Sequence, residues 1–293
     1  MRVRLAASPF RIARLAITSR IALVVASSLA ATIAFAAPVT LKTTEFGSGP
    51  TIVLVHSIGS GRLYWMPTAR KLLGNWHVVM VDLPGHGDSP LPDPFSLEAS
   101  AEALDRVVAA HPADSTVIVG QGVGGLLALM SASAHPDHQR ALVLIDAALK
   151  SPLPIDEQQK KQFVDFMDQN YDTFFTMIFS RMGRDSLQNV AIRASAAQVP
   201  PNTIKAYMRA LLNVDGTRAV KDLRTPMLFV ATERILPPEK DWATVGKQLG
   251  WEDPVGVTPR RLAKCGALIA SEQPDSLAMI VSEFAKGALA KKQ

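Results

Sequence analysis

The sequence has one cysteine, Cys265, so no disulfide can form within the chain and the fold must rest on packing and hydrogen bonding. Aromatic residues are scarce at 6% while aliphatic residues are plentiful, a balance that suits an α/β core. No low-complexity linker and no internal repeat interrupts the chain. Its 293 residues, 48% of them apolar, therefore read as one domain carrying an insertion. No Cys/His cluster has metal-ligand spacing, which argues against a metal hydrolase. No G-x-G-x-x-G with an acidic partner about 20 residues further on follows a strand, which argues against a dinucleotide site. No cofactor is expected.

Acidic residues are missing from the first 44 positions, where Arg2, Arg4, Arg11, Arg14 and Arg20 accumulate ahead of Glu45. Discounting those five arginines from the net charge of +5 leaves the remainder close to neutral, so a basic domain that grips nucleic acid is unsupported. Residues 21–36 are small and apolar but short for a membrane span, which needs about 20 residues. Ala34-Phe35-Ala36 fits an A-x-A cleavage signal. The expectation is a secretory signal peptide over 1–36, a mature domain over 37–293, and export to a periplasm or the medium. An uncleaved anchor over residues 21–36 and an Arg-rich transit peptide are the alternatives.

From Val39 onward, strands alternate with helices. Val39 to Glu45 reads as an edge strand. Thr51–Val55, His77–Asp82, Thr116–Gly120, Ala141–Ile145 and Pro226–Ala231 are continuous aliphatic runs, the mark of strands covered on both faces. Helices are expected over Leu63–Leu73, from a Ser96 cap to His111, after Gly122, over Trp242–Leu249 and from Pro274 to about Ala288, with a weak strand near Val257–Ala263. Such alternation implies a mostly parallel sheet flanked by helices. Residues 150–218 break it with a helical block rich in Met, Phe and Gln, read as an inserted lid.

Motifs then fall in a telling order. Val53-Leu54-Val55-His56 runs into a Gly/Ser loop. Asp82-Leu83-Pro84-Gly85-His86-Gly87-Asp88-Ser89 forms a turn. Gly120-Gln121-Gly122-Val123-Gly124 makes a tight bend from strand to helix, the frame of a G-x-S-x-G nucleophile elbow. Pro226–Pro237 and Glu272-Gln273-Pro274 come late. Across roughly residues 40–288 this order resembles the α/β-hydrolase family, in which these are the oxyanion loop, the D-x-P-G-x-G-x-S turn, the elbow, the acid strand and the opening of the last helix. The resemblance implies an α/β-hydrolase fold with an inserted helical lid and a serine-type triad.

The triad positions depart from that pattern. The nucleophile falls on Gly122, the acid on Arg234 and the histidine on Ala267. No histidine follows His138; the six are His56, His77, His86, His111, His135 and His138. In this fold the general base follows the last strand. Gly122 has nothing to deprotonate, Ala267 cannot accept a proton, and Arg234 carries the wrong sign to orient an imidazolium. The expectation is therefore a non-catalytic homologue that binds a small apolar or amphipathic ligand in its lidded cleft. His56, Ser57, Gln121, Gly122, Arg234 and Ala267 are its candidate contacts. Two alternatives stay open. One is a hydrolase or lyase acting on small esters or amides through other residues, with Ser57, Cys265 or Asp146 as candidates. The other is a protein-interaction module. His86 reads as structural, and Glu233 as a local partner of Arg234.

Overall fold

In the computed structural model, residues 39–151, 155–221, 223–251, 257 and 259–290 are described. The leader expected over 1–36 lies outside them. The aliphatic runs form a seven-stranded sheet in the order β1-β3-β2-β4-β5-β6-β7. Its strands are β1 Thr43–Gly47, β2 Thr51–Val55, β3 His77–Val81, β4 Thr116–Gln121, β5 Ala141–Ile145, β6 Met227–Thr232 and β7 Pro259–Leu262. All neighbours pair in parallel except β1, which runs antiparallel to β3 from Thr43 opposite Val81 to Gly47 opposite His77. That register carries the edge strand beyond the expected Val39–Glu45 to Gly47, where a φ of +85° turns the chain.

Alternate residues of the central strands point to opposite faces, so each strand feeds two cores. Val53, Val55, Val79, Val81 and Ile118 pack beneath α2 (Leu97–Val108) and α3 (Val123–Ala134). Ile52, Leu54, Val78, Met80, Val117 and Val119 pack against α1 (Met66–Leu72) and the last helix. The Ser96 hydroxyl accepts from the Ala99 N–H and caps α2, as its position before an acidic first turn predicts.

Between β5 and β6 come α4 (Glu157–Gln169), α5 (Tyr171–Phe179), α6 (Ser186–Ala196), α7 (Pro201–Leu211) and α8 (Thr217–Lys221). Met167, Phe174, Phe179, Ile192 and Ile204 give this block a small core of its own. α9 (Trp242–Gln248), α10 (Ile269–Glu272) and α11 (Pro274–Ala290) complete the chain order. Among the described residues, no helix is long and apolar enough to cross a membrane.

Candidate active site

Five loops leave the C-terminal ends of parallel strands and meet at one cavity of about 70 Å³. Ser57 follows β2, Gly122 follows β4, Asp146 follows β5, Arg234 follows β6 and Ala267 follows β7; all five line it. Ligand crevices in open α/β sheets lie at this end of the strands. Phe179, Met182, Ile192 and Ser195 complete the wall from the helical insertion.

The elbow forms because glycine suits two of its positions. Gly122 adopts φ +54° and ψ −119°, a conformation that residues with a β-carbon rarely take. Its N–H donates to the Ile145 carbonyl at 2.8 Å, and its carbonyl accepts from Leu126 at 3.1 Å, starting α3. Gly124 lets the helix meet the neighbouring strand, since a β-carbon there would stand 2.3 Å from the His56 carbonyl oxygen.

The space that an elbow side chain would fill is taken by another residue. A β-carbon on Gly122 would lie 2.4 Å from Ser57 Oγ. Gly122 carries no hydroxyl, and the adjacent loop places the Ser57 hydroxyl beside the point where its β-carbon would stand. Among the described residues, neither the Ile58 N–H nor the Val123 N–H donates to a protein acceptor; Ile58 lines the cavity, and Val123 follows the lining residue Gly122. They come from the two segments that supply oxyanion donors in this kind of elbow.

His56 does not line the cavity, contrary to its place among the candidate contacts. It is fully buried behind the loop, where Nε2 accepts from the Leu83 N–H at 3.0 Å and Nδ1 donates to the Ser57 carbonyl at 2.7 Å. Both nitrogens are engaged, and burial pushes its pKa down to about 4 despite the bond to Ser57. His86 is buried beside it and accepts from the Gly59 N–H at 3.2 Å, the structural role its turn position suggests. The two histidines brace the Ser57 loop from behind.

Among the described residues, Asp146 supplies the one carboxylate in the cavity wall. Its Oδ1 accepts from the Thr232 N–H at 2.9 Å and its Oδ2 from the Thr232 hydroxyl at 2.6 Å. Arg234 Nη2 approaches Oδ2 at 3.6 Å. Complete burial raises the Asp146 pKa, although Arg234 and Thr232 oppose the shift. Arg234 thus faces Asp146, and the expected local pairing with Glu233 gives way: Glu233 instead accepts from the Lys264 N–H at 2.8 Å.

Ala267 contributes its backbone. Its carbonyl accepts from Gln121 Nε2 at 2.9 Å and from the Tyr64 hydroxyl at 3.1 Å, tying the last loop to the elbow. Glu272 fixes the same loop by accepting from the Gly266 N–H at 2.7 Å. It also reaches the insertion, accepting from Arg184 Nε at 2.7 Å and Gln188 Nε2 at 2.8 Å. Cys265 is buried, with its thiol directed at the Leu262 carbonyl, and does not line the cavity.

Of the candidate contacts, Ser57, Gln121, Gly122, Arg234 and Ala267 are brought together and His56 is not. Tyr64 and Asp146 belong to the wall as well. A strand-end position was the signal for Asp146; nothing local to Tyr64 marks it.

A sequence profile of the alpha/beta hydrolase fold matches residues 50–190. The chain is 42% identical over 93 residues to a pimeloyl-[acyl-carrier protein] methyl ester esterase of Neisseria meningitidis, covering 32% of this chain and 35% of that protein. It is 28% identical over 197 residues to the protein of the same name from Vibrio atlanticus, covering 62% and 75% respectively. The matched segment thus spans about a third of the first of these relatives. An esterase structure from Thermogutta terrifontis superimposes with a TM-score of 0.70 at 19% identity, over 85% of this chain and 93% of the other. At that identity the likeness concerns the fold alone.

These relatives overturn the expectation of a non-catalytic ligand-binding homologue, because the proteins that share this sequence are named as ester-cleaving enzymes. The expectation gave most weight to the three replaced triad positions; the Ser57 hydroxyl, named there only under the alternative, lies beside Gly122. The parallel sheet, the glycine elbow and the sequence match agree: the chain has the α/β-hydrolase fold.

Proposed function

We propose that this protein hydrolyses small esters with Ser57 as its nucleophile in place of the elbow residue. The observation that carries the reading is the Ser57 hydroxyl standing 2.4 Å from the point where a Gly122 β-carbon would be. Ser57 lines the cavity with Ile58 and Gly122, and the Ile58 and Val123 N–H groups are the proposed oxyanion donors. Asp146, which shares the cavity wall with Ser57, is assigned as the proton acceptor.

In the reaction, Ser57 Oγ adds to the ester carbonyl carbon and its proton passes to Asp146, directly or through one water. The oxyanion is held by the two backbone N–H groups. The C–O bond to the alcohol then breaks, and the leaving oxygen takes the proton from Asp146. Water gives a proton to the same carboxylate and attacks the acyl-Ser57 ester. The Ser57 oxygen departs as the acid forms and recovers that proton.

A cavity of about 70 Å³ suits a short alcohol. Ile58, Phe179, Met182, Ile192 and Leu268 give it an apolar wall for the acyl chain. The relatives' name supports a methyl ester. Gln121, Gly122, Arg234 and Ala267 are read as the remaining substrate contacts, and the helical insertion as the cover.

The test is turnover of short-chain nitrophenyl and methyl esters, together with fluorophosphonate labelling read by peptide mass. Wild type should turn over, and the label should fall on Ser57. Ser57→Ala should lose the label and at least about 10³-fold in rate. Labelling or turnover unchanged by Ser57→Ala, or absent from wild type, overturns the proposal.

A further inference from the structure

Away from the residues that line the cavity, α2 and the turn after α3 gather four metal-ligand side chains. Glu102 and Asp105 stand one helical turn apart on α2. His135 follows the last residue of α3, and His138 lies three residues further on. His135 Nε2 is 3.1 and 3.2 Å from the Glu102 carboxylate oxygens and 3.7 Å from Asp105 Oδ2. His138 Nδ1 is 2.9 and 3.1 Å from the Asp105 oxygens. The ligand atoms of Asp105, His135 and His138 all lie within 4.8 Å of one another.

The ligand atoms of Asp105, His135 and His138 are close enough to share a centre, while Glu102 approaches His135 alone. Tetrahedral zinc with bonds of about 2.0–2.1 Å sets neighbouring ligand atoms about 3.3–3.4 Å apart. The two imidazole planes lie 4° apart with centroids 5.0 Å apart, so binding one ion requires one ring to turn about its side-chain bonds. Asp105 is buried, and among the described residues neither Lys nor Arg pairs with it or with Glu102. A buried carboxylate needs an opposite charge or a full set of donors. Its partners are the two imidazoles and the Ser131 hydroxyl at 3.5 Å. The turn that carries both histidines is held in place: Gln139 Nε2 donates to the carbonyls of His135 and Pro136, both at 3.1 Å. His135 and His138 are each about one-third exposed, which leaves an entry path.

We infer that Asp105, His135 and His138 bind a divalent transition-metal ion of the zinc type and so clamp α2 to the end of α3. Borderline-soft imidazole with carboxylate suits zinc, cobalt or nickel better than calcium or magnesium, which take oxygen ligands. The site asks nothing of the reaction at Ser57, and its test is independent of turnover.

Untagged full-length chain is stripped with a chelator, loaded with Zn²⁺ and dialysed, then assayed for retained metal and melting temperature. Co²⁺ loading gives a second readout, the visible d–d absorption of a tetrahedral ion. Wild type should retain a single equivalent, melt at a higher temperature when loaded and show the Co²⁺ band. His135→Ala/His138→Ala should weaken binding by about 100-fold or more and abolish both shifts. Asp105→Asn should weaken it as well, with circular dichroism confirming that the variant folds. His111→Ala, at a second grouping of Glu45, His77 and His111, should change nothing. No retained metal in wild type, retention in the double histidine variant, or loss in His111→Ala overturns the inference.

Discussion

Ser57 and Gly122 share one volume: the hydroxyl of the first lies 2.4 Å from where the β-carbon of the second would be. A side chain at either position excludes the present conformation of the other. The residue that disqualifies the elbow as a nucleophile is also what allows its neighbour to occupy the site.

Gly122→Ala should therefore destabilise twice over, by imposing a β-carbon at φ +54° and by displacing Ser57. The backbone part is about 1–3 kcal/mol. Urea denaturation of wild type, Gly122→Ala, Ser57→Gly and the double variant separates the two parts. The cost of Gly122→Ala should shrink in the Ser57→Gly background. A Gly122→Ala chain as stable as wild type would refute the shared-volume account.

Acid should weaken the fold well before the carboxylates titrate. His56 is pushed down to about 4 and His86 to about 3, both chiefly by burial. Their unfolded imidazoles take up protons near pH 6.5, so between that value and the folded pKa the unfolded chain binds more protons and stability falls as pH falls. Between pH 7 and pH 5 each histidine should cost about 2 kcal/mol. Asp146 acts in the opposite sense, because its raised pKa makes the folded chain take a proton first, and Asp146→Asn removes that offset. Unfolding free energies measured across this range should decline; a flat profile contradicts the buried neutral histidines.

Asp82 is the anchor of the loop that carries Ser57. It is fully buried and accepts from the Arg62 N–H at 2.7 Å, from the Arg62 guanidinium and from the Asp88 N–H at 3.0 Å. Asp82→Ala should cost about 3–5 kcal/mol by leaving Arg62 and two N–H groups without their acceptor. Asp82→Asn should cost less and still lower ester turnover, because the loop loses its charged tie. Denaturant midpoints and initial rates on the same preparations check both.

The thiol of Cys265 should be inert in the folded chain. Burial pushes its pKa up to about 12, with Glu272 and Asp146 adding to the shift. An aromatic disulfide reagent should label it only at the rate of unfolding and promptly once urea is added. Rapid labelling of the native protein would restore Cys265 as a candidate nucleophile.

The sheet was legible because its strands are buried on both faces: Thr51–Val55 and Ala141–Ile145 could be placed from unbroken aliphatic runs alone. The elbow was legible because Gly122 stands where the chain needs a left-handed turn. The edge strand was misplaced because its ends are set by pairing with β3, which Val39–Glu45 does not encode locally. The position of Ser57 over Gly122 and the meeting of His135 and His138 with Glu102 and Asp105 could not be read from spacing. Each depends on how separate segments pack, β2 beside β4 in the first case and α2 against α3 in the second. The fate of Arg234 followed the same rule: its sequence neighbour was Glu233, but its spatial neighbour is Asp146.

Glu272 holds the last loop and the segment around Arg184 with a carboxylate only 7% exposed. Met182 on one side of that tie and Leu268 on the other both belong to the cavity wall. Parting the two segments would strip the anion of two donors and oblige water or dissolved cations to replace them. Any opening that parts them should therefore respond to salt as well as to shape, through a residue that stands outside the cavity wall.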